Sequence, residues 1–134
     1  MFVHITDYHG NAVSIDPLRV LKIRSSGIAD EPRNFVFIDY VSGGTFAEGS
    51  LSELVRLFGA YIRLAPLHAP NKMPIYLNTA GIASVDVDDR YDGNSVAIVA
   101  AGFENSRVPA RNKIALLETP NEAAEILENT SLNT

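Results

Sequence analysis

Cysteine is absent from the 134 residues, and so is tryptophan. Without a thiol the chain forms no disulfide, performs no thiolate catalysis and holds no cysteine-ligated zinc, iron–sulfur or copper site. Positive charge is outnumbered, with 11 Lys and Arg against 16 Asp and Glu for a net charge of -5. That balance opposes an electrostatically driven grip on DNA, RNA or an anionic membrane. Long apolar runs are also missing: no window approaches the roughly 20 residues that a membrane-spanning helix needs. Met1 to Asp7 shows neither a basic start nor an apolar stretch with a cleavage site. The expectation is a soluble, cytoplasmic chain without a membrane partner. Hydrophobic residues nevertheless make up 46%, at a length suited to one domain or two very small ones sharing a core.

Those apolar residues recur mostly with period two, the spacing of half-buried strands. Strands are expected at Phe2 to Thr6, Ala12 to Asp16 and Phe35 to Tyr40, Leu18 to Ile23 suits a strand or one irregular turn leading into a strand, and Ser42-Gly43-Gly44-Thr45 is expected to close a hairpin. Ser50-Leu51-Ser52-Glu53 reads as a capping box opening a helix, with Leu51, Leu54, Val55 and Phe58 on one face and Gly59 as a left-handed stop. Further along, Tyr61 to Leu64, Pro74 to Asn78, Ile82 to Val87 and Val96 to Ala100 read as strands, with Ala65 to Lys72 a loop and Asp92-Gly93 a hairpin turn. Arg107-Val108 suits one more short strand. Thr119-Pro120-Asn121-Glu122 is a second capping box, opening a helix that is expected to fray from Asn129. Ile62, Leu64, Phe35 and Phe37 are the expected core.

Laid side by side, 1–59 and 60–134 read as a diverged duplication. Val13, Ile15, Asp16, Val20 and Ile23 match Ile75, Leu77, Asn78, Ile82 and Val85; Val36 and Ile38 match Val96 and Ile98; Ser50 and Glu53 match Thr119 and Glu122. The expected fold is α+β: two tandem β-rich units of mostly antiparallel sheet, each closed by one amphipathic helix, packed as one globular domain. Exposed strand edges and helix faces offer a route to a homo-oligomer.

The unit Ile5-Thr6, Gly10, Ile15-Asp16-Pro17, Val20 and Ile23, then Val36, Ile38 and Gly43-Gly44 before a capped helix, resembles the small flagellar FlbD-like family, here as two copies covering nearly the whole chain. The second copy has Leu77-Asn78 without the proline and inserts Ala110 to Lys113 before its helix. This resemblance implies a non-enzymatic interaction module with no active site to carry over. A rival likeness runs from Ser50 through Arg63 and Asn78 to Val108-Pro109-Ala110-Arg111, which is similar to the LytTR DNA-binding domain of response regulators. It implies DNA contacts from Arg63, Asn78, Arg107 and Arg111, although Ala65-Pro66-Leu67-His68 stands where that family carries a basic loop.

Candidate chemistry is sparse. His4, Asp7, His9 and His68 are the residues from which a proton-transfer or metal site would be built, and their spacing matches no helical histidine pair. Asp86, Asp88, Asp89 and Asp92 crowd into one short stretch. A calcium loop would require an oxygen ligand where Arg90 stands and a glutamate where Val99 stands. These four aspartates read instead as a solvated hairpin end whose alternate carboxylates face water, an acidic face that is also available to dock a basic partner. Arg19, Lys22, Arg24, Arg107, Arg111 and Lys113 are the cations available to a phosphate backbone. The leading expectation is a non-enzymatic protein-interaction module, an adaptor, assembly factor or inhibitor, with no cofactor and no metal. The alternatives are a LytTR-like transcriptional regulator and a small metal-dependent enzyme using His4, Asp7 or His68.

Overall fold

The computed structural model describes residues 1–88, 90 and 93–132. Among these the chain is a β-rich α+β fold of ten strands, paired antiparallel throughout, and two α-helices. The strands β1 (Val3–Thr6) and β2 (Ala12–Ile15) form a hairpin. A 3-10 turn at Pro17–Arg19 leads into β3 (Val20–Ser25), β4 (Val36–Tyr40), β5 (Gly43–Ala47) and α1 (Leu51–Gly59). The same order follows again: a hairpin of β6 (Leu64–His68) and β7 (Pro74–Asn78), a 3-10 turn at Thr79–Gly81, then β8 (Ile82–Val87), β9 (Ser95–Val99), β10 (Lys113–Leu116) and α2 (Pro120–Leu132).

Pairing registers repeat with the elements. Val3 opposite Ile15 in the first hairpin corresponds to Ala65 opposite Leu77 in the second. A bulge interrupts β3 between Val20 and Lys22, and its counterpart interrupts β8 between Ile82 and Ser84. Main-chain bonds beyond the ladders repeat too: Glu48 N–H donates to Thr6 C=O and Leu117 N–H to His68 C=O, each at 2.8 Å. Both turns after the hairpins are opened by an Asx cap, from Asp16 to the Leu18 N–H and from Asn78 to the Ala80 N–H. Both capping boxes form, Ser50 with Glu53 and Thr119 with Glu122.

The core is divided between the halves. Val3, Ile5, Val20, Ile23, Ile38 and Phe58 belong to one buried cluster, while Leu67, Ile75, Leu77, Ala97, Leu116 and Ala123 belong to another. Leu21 is the one buried residue of the first half in the second cluster. The sheets cross the boundary at residue 59. β7 pairs with β3, so the larger sheet runs β5-β4-β3-β7-β6 and the hairpin of the second half extends the meander of the first.

Several local expectations are corrected. The β4–β5 turn is Val41-Ser42, with Ser42 at φ 64, and Gly43 and Gly44 lie within β5 opposite Tyr40 and Asp39. Gly59 lies inside α1 and is not left-handed. The helix ends instead with the Tyr61 and Ile62 N–H groups turned onto the Phe58 carbonyl. Ala65 to His68 is strand rather than loop, because Pro66 sits on the edge strand of its sheet, where a missing N–H breaks no ladder. Arg107-Val108 is not a strand; the last strand is β10, and α2 continues to Leu132. The matching of Val36 and Ile38 to Val96 and Ile98 slips by one residue, since Ile38 faces Ile23 as Ala97 faces Val85. Of the expected core, Ile62 and Phe37 are buried and Leu64 and Phe35 half-buried. Gly93 is left-handed at φ 75, and Asp92 beside it lies outside the described residues.

Candidate partner-binding surfaces

The acidic stretch is partly neutralised by its own neighbours. The Asp88 carboxylate accepts from the Arg90 side chain at 2.9 and 3.1 Å, from the Arg90 N–H at 3.0 Å and from Lys113 Nζ at 3.2 Å. These bonds, the Arg90 side chain foremost, hold it well below the usual carboxylate range. Asp86 is exposed on β8 and accepts from the Ser84 hydroxyl. Asp89 and Asp92 lie outside the described residues.

The residues singled out for DNA contact are not equivalent. Asn78 is buried at 2% exposure, donating to the Val20 carbonyl at 2.8 Å and accepting from the Ala80 N–H, so its amide serves the junction between β7 and β3. Arg63 is exposed just before β6, and Arg107 is exposed in a loop whose Asn105 side chain accepts from the Arg107 and Val108 N–H groups. Arg111 turns back onto the larger sheet, its guanidinium 5.5 Å from the Phe37 ring centre and 3.6 Å from the Asp39 carboxylate.

On that sheet face the structure assembles a charged cluster that sequence spacing did not single out. Lys22 lies opposite Asp39 across the β3–β4 ladder. Arg24 lies over the Phe37 ring at 4.7 Å and forms a two-pronged bond to Glu31 at 2.6 and 2.8 Å. Burial raises the Asp39 carboxyl, against the pull of Lys22, Arg111 and Arg24. Burial lowers Lys22, opposed by Asp39 and reinforced by Arg24 and Arg111. The Arg24 bond pulls Glu31 down. Gly44 is what admits this stack: a Cβ there would stand 2.7 Å from the Phe37 ring. The signal for the cluster was the alternation of Lys22 and Arg24 with Leu21 and Ile23, which places both cations on one face of a central strand.

The histidines are dispersed. His4 Nδ1 bonds the Ser14 hydroxyl at 2.8 Å, and Asp7 is a turn residue accepting from the His9 and Asn11 N–H groups. His68 pairs through Nδ1 with Glu118 at 2.7 Å on an exposed strand end. Among the described residues no three metal-ligating side chains converge, and no helix is long and apolar enough to cross a membrane.

Each sheet of the described residues ends in strands with one side unpaired by another strand, and β2 and β8 are two of these edges. Among the described residues no strand pairs with the outer side of β2 or of β8. Along β8, Ala83, Ser84, Asp86 and Val87 are exposed, whereas β3 is covered on both sides and its Val20, Leu21 and Ile23 are buried. Beside β8 runs a groove of about 410 Å³ against α2, lined in part by Ile82, Val85, Ala124 and Leu127.

Comparison with protein-family models, with curated proteins and with solved structures finds no match to this chain.

Proposed function

We propose that the protein is a non-enzymatic interaction module, an adaptor or assembly factor built from two copies of one β-rich unit, which engages a partner protein through an exposed strand edge. The open β8 edge carries this reading: a row of main-chain groups without a neighbouring strand, flanked by an apolar groove, is a template for strand addition. The ionisable side chains support it from the other direction. Asp88, Glu31 and Asp39 are engaged by cations of the same chain, and Glu118 by His68. The likeness to FlbD-like modules agrees with a binding role.

Comparative affinity capture from the source cell tests the proposal, using the wild type and an Ala83→Lys/Val87→Lys double variant as baits. Both positions are exposed, and lysines on an edge strand disfavour pairing while sparing the core. A protein retained by the wild type and lost with the double variant is expected. Equal retention by both baits, or a salt-dependent complex with duplex DNA that the double variant keeps, would overturn the reading.

A further inference from the structure

The chain contains a worked example of what its open edge accepts. At β3 the corresponding edge is occupied by the β6–β7 hairpin, with Lys22 opposite Leu77, Ile23 opposite Tyr76 and Arg24 opposite Ile75. Ser26 N–H donates to Phe35 C=O, so alternation turns the main chain of Ile23 away from β4 and towards β7. Leu64 and Tyr76 then cover the cluster containing Val20, Ile23, Val55 and Phe58. Those four residues correspond to Ile82, Val85, Ala124 and Leu127, part of the lining of the groove beside β8. The element that corresponds to the β6–β7 hairpin is β1–β2, and its outer side is free. Asp7 N–H donates to Asn11 C=O, so the same alternation points the Ser14 main chain away from β1. Phe2, which stands where the second hairpin has Leu64, is 60% exposed.

We infer that β8 of one copy accepts the β1–β2 hairpin of a second copy, pairing Ser84 with Ile15, Val85 with Ser14 and Asp86 with Val13, and seating Phe2 in the groove against α2. The second sheet then becomes a five-stranded β10-β9-β8-β2-β1 array in which the last two strands come from the neighbour, matching the larger sheet within the chain. Because the two surfaces differ, the contact is head-to-tail and either closes into a ring or extends. One substitution marks the difference between the internal and the external junction. Asn78 donates to the Val20 carbonyl, and its counterpart Asp16 is a carboxylate with no proton to give the Ile82 carbonyl of the neighbour. The junction between copies is therefore the weaker, reversible one.

This inference rests on the edge-binding reading above and names a second copy as the occupant. Sedimentation velocity on the intact protein, from about 1 to 100 μM, reads it. Wild type is expected to move from a 14.5 kDa species towards integer multiples of it. Ser14→Pro removes an outward N–H together with the exposed hydroxyl that bonds His4, and Phe2→Glu charges the seated ring; each is expected to weaken association about tenfold or more. Asp16→Asn keeps the cap and is expected to strengthen association about three- to tenfold by restoring the donor. A disulfide formed on mixing Ser14→Cys with Val85→Cys protein, in a chain otherwise free of thiols, would fix the register without requiring the proline variant to fold. Wild type that stays at 14.5 kDa throughout, or association unchanged in both weakening variants, overturns the inference. If self-association fails while the capture experiment still loses a protein with the β8 variant, the edge-binding reading stands with a different occupant.

Discussion

Replacing Asn78 with alanine strands the Val20 carbonyl inside the sheet junction and removes the cap on the following turn. The expected cost is about 1–3 kcal/mol, read as a shift in the denaturant midpoint without a change in slope. Asn78→Asp should cost more than the alanine variant, because it sets a carboxylate oxygen against that carbonyl; an aspartate variant as stable as the wild type would contradict the role given to the amide. Glu31 supplies a pH-dependent counterpart. Its folded-state carboxyl is held below the ordinary glutamate value, chiefly by the bond from Arg24. The stabilisation is therefore complete above the ordinary value and disappears as pH falls through the folded one. Glu31→Gln should be about 1–3 kcal/mol less stable than the wild type at pH 7, with the gap narrowing on acidification. A gap that stays constant down to pH 3 would show that the ion pair is not its source. Phe58, fully buried against the β3 side of the first core, is expected to cost about 3–5 kcal/mol on truncation to alanine.

At the scale of elements, the two helix starts were legible in the sequence because each is a local contract between a side-chain oxygen and a backbone N–H a few residues away, whereas the two Asx-capped turns at Asp16 and Asn78 emerge only in the fold. Ser50→Ala is expected to cost about 1 kcal/mol in thermal or chemical unfolding, and Thr119→Ala a similar amount; a double variant that loses no more than either alone would show that the caps do not act separately. Gly44→Ala tests a contact that sequence could not show, since it depends on the Phe37 ring crossing from the neighbouring strand to within 2.7 Å of the missing Cβ. That variant should destabilise by about 1–3 kcal/mol and disturb the stacking of Arg24 and Arg111. Elements whose existence depends on a distant partner were the ones misread. β6 carries a proline that only an edge position tolerates, and β10 is four residues, Lys-Ile-Ala-Leu, made a strand by β9. The charged cluster followed the same rule: Lys22 and Arg24 alternate with apolar residues along β3, and only the folded chain brings Arg111, Asp39 and the Phe37 ring to them.

For the whole molecule, the decisive asymmetry is between β3 and β8. Both carry the same bulge and the same register to the strand that follows, yet β3 is an interior strand and β8 an edge. Under the proposed function, binding occurs at that difference. Amide hydrogen exchange, followed with increasing protein concentration, measures it most directly. The Ile23 amide, enclosed by β7, should be protected at every concentration, while the Val85 and Ser14 amides should exchange fast when dilute and slow together as concentration rises. Val85 and Ser14 exchange that is independent of concentration, or Val85 protection already equal to that of Ile23 in dilute solution, would contradict an open, self-complementary edge.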